Sequence, residues 1–162
     1  LALSQIGIKY LAPLDFQDAP FNDDAFDLLF SNAVFEHIKP DIIDRIHKES
    51  FRVVKPGGYI FHNIDLTDHF SHSDPSISKL HFLKFSNRLW QFLVGGTFFF
   101  QNRMRASQHI KSLEAAGFAV SDVQKVYVEE NSKYSVHTDL NKQCSGDDFK
   151  VTHVSILARK PE

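Results

Sequence analysis

The stretch from Asp15 to Ile64 constrains the fold of this chain more than any other part of the sequence. Phe26 to Phe30 is nearly continuous in apolar residues, which is typical of a strand buried on both faces of a parallel sheet. Pro40 to Val53 repeats apolar residues at helical spacing, and Lys55-Pro56-Gly57-Gly58 then breaks the helix with a turn. A second apolar strand, Tyr59 to Ile64, follows. The pattern predicts a right-handed strand-helix-strand unit with parallel strands.

Polar side chains stand where these two strands end. Ser31-Asn32 follows the first strand, and His62-Asn63 lies at the end of the second. Because parallel strands that are neighbours in a sheet end at the same edge, we expect the two pairs to lie side by side at one crevice.

Composition excludes several classes of function. The chain has 162 residues, of which 43% are hydrophobic and 23% charged, as in an ordinary globular domain. A net charge of -2 gives no basic field for nucleic acid. The apolar run Phe92 to Phe100 is far shorter than the roughly 20 residues of a membrane span. The single Cys144 fits a reducing compartment, so we expect a cytoplasmic protein without a nucleic-acid partner or a membrane span.

The rest of the chain alternates predicted strands and helices. We expect one long polar loop, and we find no internal repeat. The predicted strands are Ile6 to Leu11, Phe118 to Glu129 and Val151 to Ala158; the predicted helices are Ile77 to Leu93 and one from Ser107 to Gly117; and the predicted loop is Glu130 to Lys150.

Three blocks of this sequence resemble, in order and separation, the class I S-adenosylmethionine-dependent methyltransferases, particularly those that act on small molecules. The blocks are Asp15 to Asn32, Val34 to Ile38 and Phe51 to Tyr59, the last containing the Lys-Pro-Gly-Gly turn. The resemblance is specific up to about Asp65, and after that only the order of elements matches.

This resemblance implies an α/β fold of the Rossmann-like three-layer type, with a sheet in the order 3-2-1-4-5-7-6 and an antiparallel last strand. The chain starts at Leu1 rather than Met, which we interpret as an internal cut near strand three. Strands one and two and the Gly-rich turn between strand and helix would then be missing. We therefore expect an incomplete fold, strands three to seven with flanking helices, as one domain over residues 1–162. Residues 66–106 would form a lid or insertion on the substrate side.

The missing strands would leave strand four with an open edge. An unpaired edge invites pairing with another chain, so we expect either self-association, as a homodimer through this edge, or a first strand that is displaced or unordered. Without the Gly-rich turn, binding of the cofactor by this chain alone is also in question.

By the resemblance, the cofactor is S-adenosylmethionine, and five residues would bind it. Asp15 would accept a hydrogen bond from the adenine amino group and Phe16 would lie beside the ring, whereas Ser31, Asn32 and His37 would line the methionine portion. Alternatively, another acid of the same loop takes the place of Asp15, namely Asp18, Asp23 or Asp24, and Ser31 and Asn32 merely cap a helix.

Several groups after the second strand could accept a proton from the methyl acceptor. Methyl transfer from a sulfonium needs in-line positioning, and it needs a base only where the acceptor atom carries a proton. Candidates are His62, Asp65, Asp68, His69 and His72. We favour His69 as the base, since imidazole accepts a proton near neutral pH, and we name Asp65 as a second catalytic candidate, whose carboxylate would first need its pKa raised by burial. Alternatively, these side chains only form hydrogen bonds in a polar loop. A metal site of Asp65, His69 and His72 is a further alternative, and we predict no metal.

The substrate side is less defined. Arg103 and Arg105 follow an aromatic run and could clamp a carboxylate or phosphate, and His62 would lie beside the acceptor. The same arginines could instead pair with surface acids, and the phenylalanines could be core. Sugar, quinone, lipid and amine acceptors all remain open.

Two functions of different classes are consistent with the sequence. One is a methyltransferase that acts on a small molecule, and the other is a non-catalytic interaction module that kept the fold but lost the donor site.

Overall fold

The sheet contains four strands, with helices packed on it. The computed structural model of the chain describes residues 3–129, 132–142, 144 and 146–162. The strands are β1 (Phe26–Asn32), β2 (Val54–Asp65), β3 (Ala119–Tyr127) and β4 (Val151–Arg159), and the α-helices are α1 (Pro40–Val53), α2 (Asn87–Val94), α3 (Ala106–Ala115) and α4 (Thr138–Asn141). Short 3-10 turns lie at Leu3–Ile6, Phe16–Asp18, Phe35–His37, His69–His72, His81–Lys84 and Gly146–Lys150.

The strand order is β1-β2-β4-β3. β1 and β2 are parallel and are joined by α1, whereas β4 runs antiparallel to both of its neighbours. This is the order 4-5-7-6 that we predict for the second half of the sheet, with its antiparallel last strand. The Rossmann-like α/β fold class and its incompleteness are therefore confirmed.

The strand predicted at Ile6 to Leu11 is wrong. The segment contains the end of the 3-10 turn Leu3–Ile6, and its residues are exposed. This segment would be strand three of the complete sheet, and β1 is strand four. In the predicted order, strands two and one lie between these two, so the segment has no neighbour to pair with. A strand without a neighbour has no partner for its backbone N–H and C=O groups, so the apolar pattern alone did not produce one.

β1 is an edge strand. It pairs with β2 on one side, and no other described residues pair with it. The prediction that it is buried on both faces is wrong, since Leu28 is exposed and Phe30 is 75% exposed. The open edge that we expected on this strand is thus present in the described part of the chain.

Helix α1 has the bounds that the sequence predicts. Pro40 begins it, and Ile43, Ser50 and Val53 are buried on its inner face. β2 begins at Val54, earlier than predicted, so that the Lys-Pro-Gly-Gly turn lies within the strand. The register with β1 shifts there, and Gly57 has a φ of 76°, which is why glycine suits this position.

After β2, the predicted strands are confirmed, whereas the predicted helices are only partly correct. In the helix predicted from Ile77 to Leu93, only α2 forms, preceded by a 3-10 turn. The N-cap of α3 is Arg105 rather than Ser107, and Gly117 follows the helix with a φ of 108°. The loop predicted from Glu130 to Lys150 contains α4 and a further 3-10 turn. Four of its residues, Glu130, Asn131, Gln143 and Ser145, lie outside the described part of the chain.

Two apolar clusters hold these elements together. The larger one lies between the sheet and helices α1 and α3, and buried residues alternate with less buried ones along β2 and β4. The core thus lies on one face of the sheet, and the structure shows two of the three layers of the complete fold. The smaller cluster joins α2, α4 and the 3-10 turns around Trp90. None of the described helices is long and apolar enough to span a membrane.

Candidate functional site

The polar pairs at the ends of β1 and β2 are neighbours, as predicted. Ser31 lies opposite His62 in the sheet, and Asn32 lies opposite Asn63. The Ser31 Oγ and His62 Nδ1 atoms are 2.7 Å apart, and the Asn63 amide donates to Asn32 Oδ1 at 2.7 Å. These hydrogen bonds fix one edge of the crevice, and they also occupy the polar atoms that we assign to the cofactor.

A carboxylate surrounded by histidines lies at the end of β2. Asp65 Oδ2 is 3.5 Å from both His69 Nε2 and His72 Nε2, and Asp65 Oδ1 is 3.6 Å from His153 Nε2. The Thr67 backbone N–H and hydroxyl also donate to Asp65 Oδ1, at 2.8 and 2.6 Å.

This arrangement lowers the pKa of Asp65 and raises that of His69. Burial opposes ionisation of Asp65, but the imidazole of His69 at 3.5 Å and the hydrogen bonds from Thr67 outweigh it and hold the pKa of Asp65 well below its usual range. The nearby Asp65 carboxylate raises the pKa of His69 above its ordinary value, against a smaller opposing effect of burial. The pair thus consists of an ionised carboxylate and an imidazole of increased basicity.

The 3-10 turn after β1 adds two further groups to this cluster. Glu36 is 1% exposed, and neither of its carboxylate oxygens has a hydrogen-bond partner in the described part of the chain. Burial is the main cause that raises the pKa of Glu36. The neighbouring His37 is exposed, its ring lies 4.9 Å from that of His69, and its Nδ1 donates to the Phe100 carbonyl at 3.0 Å. The sequence prediction gave Glu36 no role, although a Glu-His pair directly after a strand was a usable signal.

Two buried amide side chains of the segment 66–106 bind the backbone that follows β1 and β2. Gln101 accepts from the His69 backbone N–H at 3.3 Å and donates to the Thr67 carbonyl. Asn102 donates to the carbonyls of Phe35 and Ile38, both at 2.7 Å. The sequence offered no signal for these positioning residues, because amides in a predicted loop have no characteristic spacing.

Asp15 and Phe16 lie in the loop before β1. The Asp15 carboxylate is exposed and caps the turn Phe16–Asp18, accepting from the Gln17 backbone N–H at 2.9 Å and from the Gln17 side chain. Phe16 is partly exposed. An accessible carboxylate next to an accessible aromatic ring fits recognition of an adenine.

The substrate roles predicted for Arg103, Arg105 and His62 do not fit the structure. Arg105 is 1% exposed, and its guanidinium donates to the carbonyls of Leu66 and Val151. Arg103 donates to two carbonyls and to the side-chain oxygen of Asn87. These hydrogen bonds join chain segments, so a carboxylate or phosphate would have to compete with them for the guanidiniums. His62 is buried beneath the crevice.

Three buried histidines stack in the core behind the crevice. The rings of His47 and His62 are 5.3 Å apart, and both lie close to Phe35. The ring of His109 contacts the same phenylalanine edge-on at 6.4 Å. Burial is the main cause that lowers the pKa of all three, to about 4 for His47 and about 3 for His109. These neutral rings belong to the core.

A groove between the helices lies away from most of the predicted site residues. It has a volume of about 810 Å³ and runs between α1, α2 and α3 along residues 100–104. Of the predicted residues, only Arg103 lines it. The groove also presents Asp41, Asp44 and Lys111, so its walls are of mixed charge.

Comparison with known proteins identifies the fold. A family described as a methyltransferase domain matches residues 4–62. The structure of a SAM-dependent methyltransferase from Methanosarcina mazei superposes with a TM-score of 0.56 at 18% identity, covering 91% of this chain and 65% of that one. The chain has a class I methyltransferase-like fold. No curated protein is similar enough in sequence to count as a match.

A cyclase and a further methyltransferase share the methyltransferase-like fold of this chain. The cyclase SpnF matches 98% of this chain and 60% of its own, with a TM-score of 0.59 at 18% identity. Geranyl diphosphate C-methyltransferase from Streptomyces coelicolor, solved with Mg²⁺, geranyl diphosphate and S-adenosylhomocysteine, matches 90% of this chain and 50% of its own, with a TM-score of 0.54 at 13% identity. Because both likenesses are distant, they show the fold alone.

The chain spans 65% or less of the length of these three structures. Within the methyltransferase-like fold, the cluster around Asp65 and His69 lies at the carboxyl ends of the parallel strands, which is where open α/β sheets bind their ligands. The cluster, rather than the large groove, is therefore the candidate functional site.

Proposed function

We propose that the protein transfers the methyl group of S-adenosylmethionine to a small-molecule acceptor. Support comes from the methyltransferase domain match, the methyltransferase-like fold and the polar cluster at the carboxyl ends of β1 and β2. The observation that carries the proposal is the contact between His69 and Asp65, 3.5 Å apart at that edge. This contact supports His69 as the group that would take a proton from the methyl acceptor.

The donor would be held by residues of the first block. Asp15 would accept from the adenine amino group, and Phe16 would pack against the ring, because both side chains are accessible. Ser31, Asn32 and His37 would line the methionine portion, with Ser31 and Asn32 held by their hydrogen bonds to β2. When bound, S-adenosylmethionine supplies an electrophilic methyl group on a sulfonium.

His69 is the proposed base. The Asp65 carboxylate, 3.5 Å from His69 Nε2, would stabilise the imidazolium that forms when the ring takes a proton from the acceptor. Gln101, which accepts from the His69 backbone N–H, fixes the position of the turn that carries the ring. An acceptor whose reacting atom has no proton would need only the alignment.

The segment 66–106 would lie on the acceptor side. It carries His69 and Gln101, and its Phe100 carbonyl fixes the ring of His37. A lid with these contacts would close the acceptor against both imidazoles and exclude water.

Substitution of His69 tests this proposal. The measurement is transfer of labelled methyl from S-adenosylmethionine to a panel of small-molecule alcohols, amines and quinols. We expect His69→Ala to lower turnover by roughly 10²–10⁴-fold, the usual contribution of a general base, without a change in donor affinity. The control is His72→Ala, since this imidazole is also 3.5 Å from Asp65 but 54% of its side chain is exposed.

Equal turnover for His69→Ala and the unmodified protein would contradict the assignment of His69 as the base. An unmodified protein that binds the donor but methylates no member of the panel would leave the acceptor outside these classes. Absence of both donor binding and transfer would favour the interaction module.

A further inference from the structure

Glu36 is a buried carboxylate without a hydrogen-bond partner among the described residues. It is 1% exposed, and neither oxygen accepts a hydrogen bond from any of them. Burying an unpaired polar or charged group costs free energy, and native proteins normally meet that cost with a partner or a bound ion. We therefore expect a bound ion or ligand to contact this carboxylate.

Two imidazoles stand beside Glu36. One ligand atom from each of Glu36, His37 and His69 lies within 4.8 Å of the corresponding atoms of the other two, and this is the one such group of three among the described residues. The His37 Nδ1–H donates to the Phe100 carbonyl, because a carbonyl can only accept. That bond fixes the tautomer and leaves the lone pair of Nε2 free, as in many metal-binding histidines.

We propose that Glu36, His37 and His69 bind a divalent transition-metal cation, with Zn²⁺ as the best-suited ion. Two imidazoles and one carboxylate form a ligand set that such cations favour over Mg²⁺ or Ca²⁺, and water completes the coordination. Ligand distances of about 2.0–2.2 Å require the three side chains to move together by roughly 1 Å. His37 is exposed, so the ion can enter from solvent.

A second candidate set around Asp65 is less suitable. His69, His72 and His153 all lie within 3.6 Å of its oxygens. However, Asp65 already accepts hydrogen bonds from the backbone and the hydroxyl of Thr67, whereas Glu36 accepts none. A cation gains more from the unsatisfied carboxylate, because binding there displaces no hydrogen bond of the protein.

Metal binding would inhibit methyl transfer. This inhibition rests on the proposed function, but the binding of the ion is independent of that function. A neutral imidazole has one lone pair and one N–H. Coordination uses the lone pair, so a coordinated His69 could not accept a proton from the acceptor. The ion would therefore act as an inhibitor of this site.

The test is calorimetric titration of this chain with ZnCl₂ in a buffer without chelator. We expect one ion to bind, and we expect Glu36→Gln and His37→Ala each to weaken binding at least tenfold. Glu36→Gln keeps the size of the side chain, and His37→Ala changes an exposed residue, so both should fold, which circular dichroism checks. The matched controls are His72→Ala and His153→Ala, which should bind within twofold of the unmodified chain.

Three results would overturn the site: no binding by the unmodified chain, binding that survives both Glu36→Gln and His37→Ala in folded protein, or binding lost in His72→Ala or His153→Ala. The site and the proposed function can fail separately. Zinc binding with the expected pattern would establish the metal site even if no methyl transfer were found. Methyl transfer without zinc binding would support the proposed function and contradict the metal site.

Discussion

Three buried histidines make the stability of this protein depend on pH. The folded chain keeps His47, His62 and His109 neutral in its core, chiefly because burial disfavours the charged ring. In the unfolded chain the same rings take up protons near pH 6.5. The unfolded state therefore binds more protons as the pH falls below 6.5, and acid favours unfolding.

We predict that the free energy of unfolding falls between pH 6.5 and pH 4, by up to roughly 1.4 kcal/mol per pH unit for each buried ring. The contribution of His47 levels off below its folded pKa of about 4, and that of His109 below about 3. Urea unfolding at several pH values measures this slope. His109→Leu should reduce it, because one buried proton site is removed, and an unchanged slope would contradict the assignment.

Single residues were predictable where strand register determined their place. Ser31 and His62 were expected side by side because parallel neighbouring strands end together, and they are. Burial of His47 and His109 was not predicted, because helical faces were assigned from apolar positions and a neutral imidazole is not recognised as apolar. The hydrogen bonds of Arg105 were also not predicted, since a basic residue in a predicted loop reads as exposed.

Among the elements, β1 determines how this chain meets other molecules. Its outer edge is unpaired among the described residues, and Phe30 on this strand is 75% exposed. An unpaired edge with apolar side chains favours pairing with a second chain, whereas a lysine on such an edge discourages it.

We therefore predict that the chain forms a homodimer through β1 and that Phe30→Lys makes it monomeric. Sedimentation velocity over a range of concentrations measures the change. Phe92→Lys is the control, because Phe92 is 84% exposed but lies on α2 rather than on the sheet edge. A monomeric unmodified chain would contradict the prediction, as would a dimer that Phe92→Lys disrupts and Phe30→Lys does not.

Elements were predictable where their sequence period was clear and their neighbours were present. α1, β3 and β4 meet both conditions, and their ends lie within a few residues of the predicted ones. The predicted strand at Ile6 to Leu11 had the apolar pattern but no neighbour. The predicted helix from Ile77 formed only as α2, because its earlier apolar residues pack as irregular chain around Trp90.

At the scale of the whole molecule, the chain presents one half of a methyltransferase-like sheet. It spans 65% or less of the length of the three compared structures. Its four strands correspond to strands 4-5-7-6 of the complete sheet, and the proposed base follows β2. Donor binding depends on whether the loop of Asp15 and the ends of β1 and β2 suffice for a pocket, alone or in an assembly.

The most direct test of the account is calorimetric titration of the chain with S-adenosylhomocysteine. We predict micromolar binding that Asp15→Ala weakens at least tenfold, because the adenine would lose its acceptor. Asp18→Ala, which removes an exposed acid of the same loop, should bind like the unmodified chain. Equal affinity for Asp15→Ala and the unmodified chain would contradict the adenine assignment, and no binding by the unmodified chain would contradict a donor site in this chain.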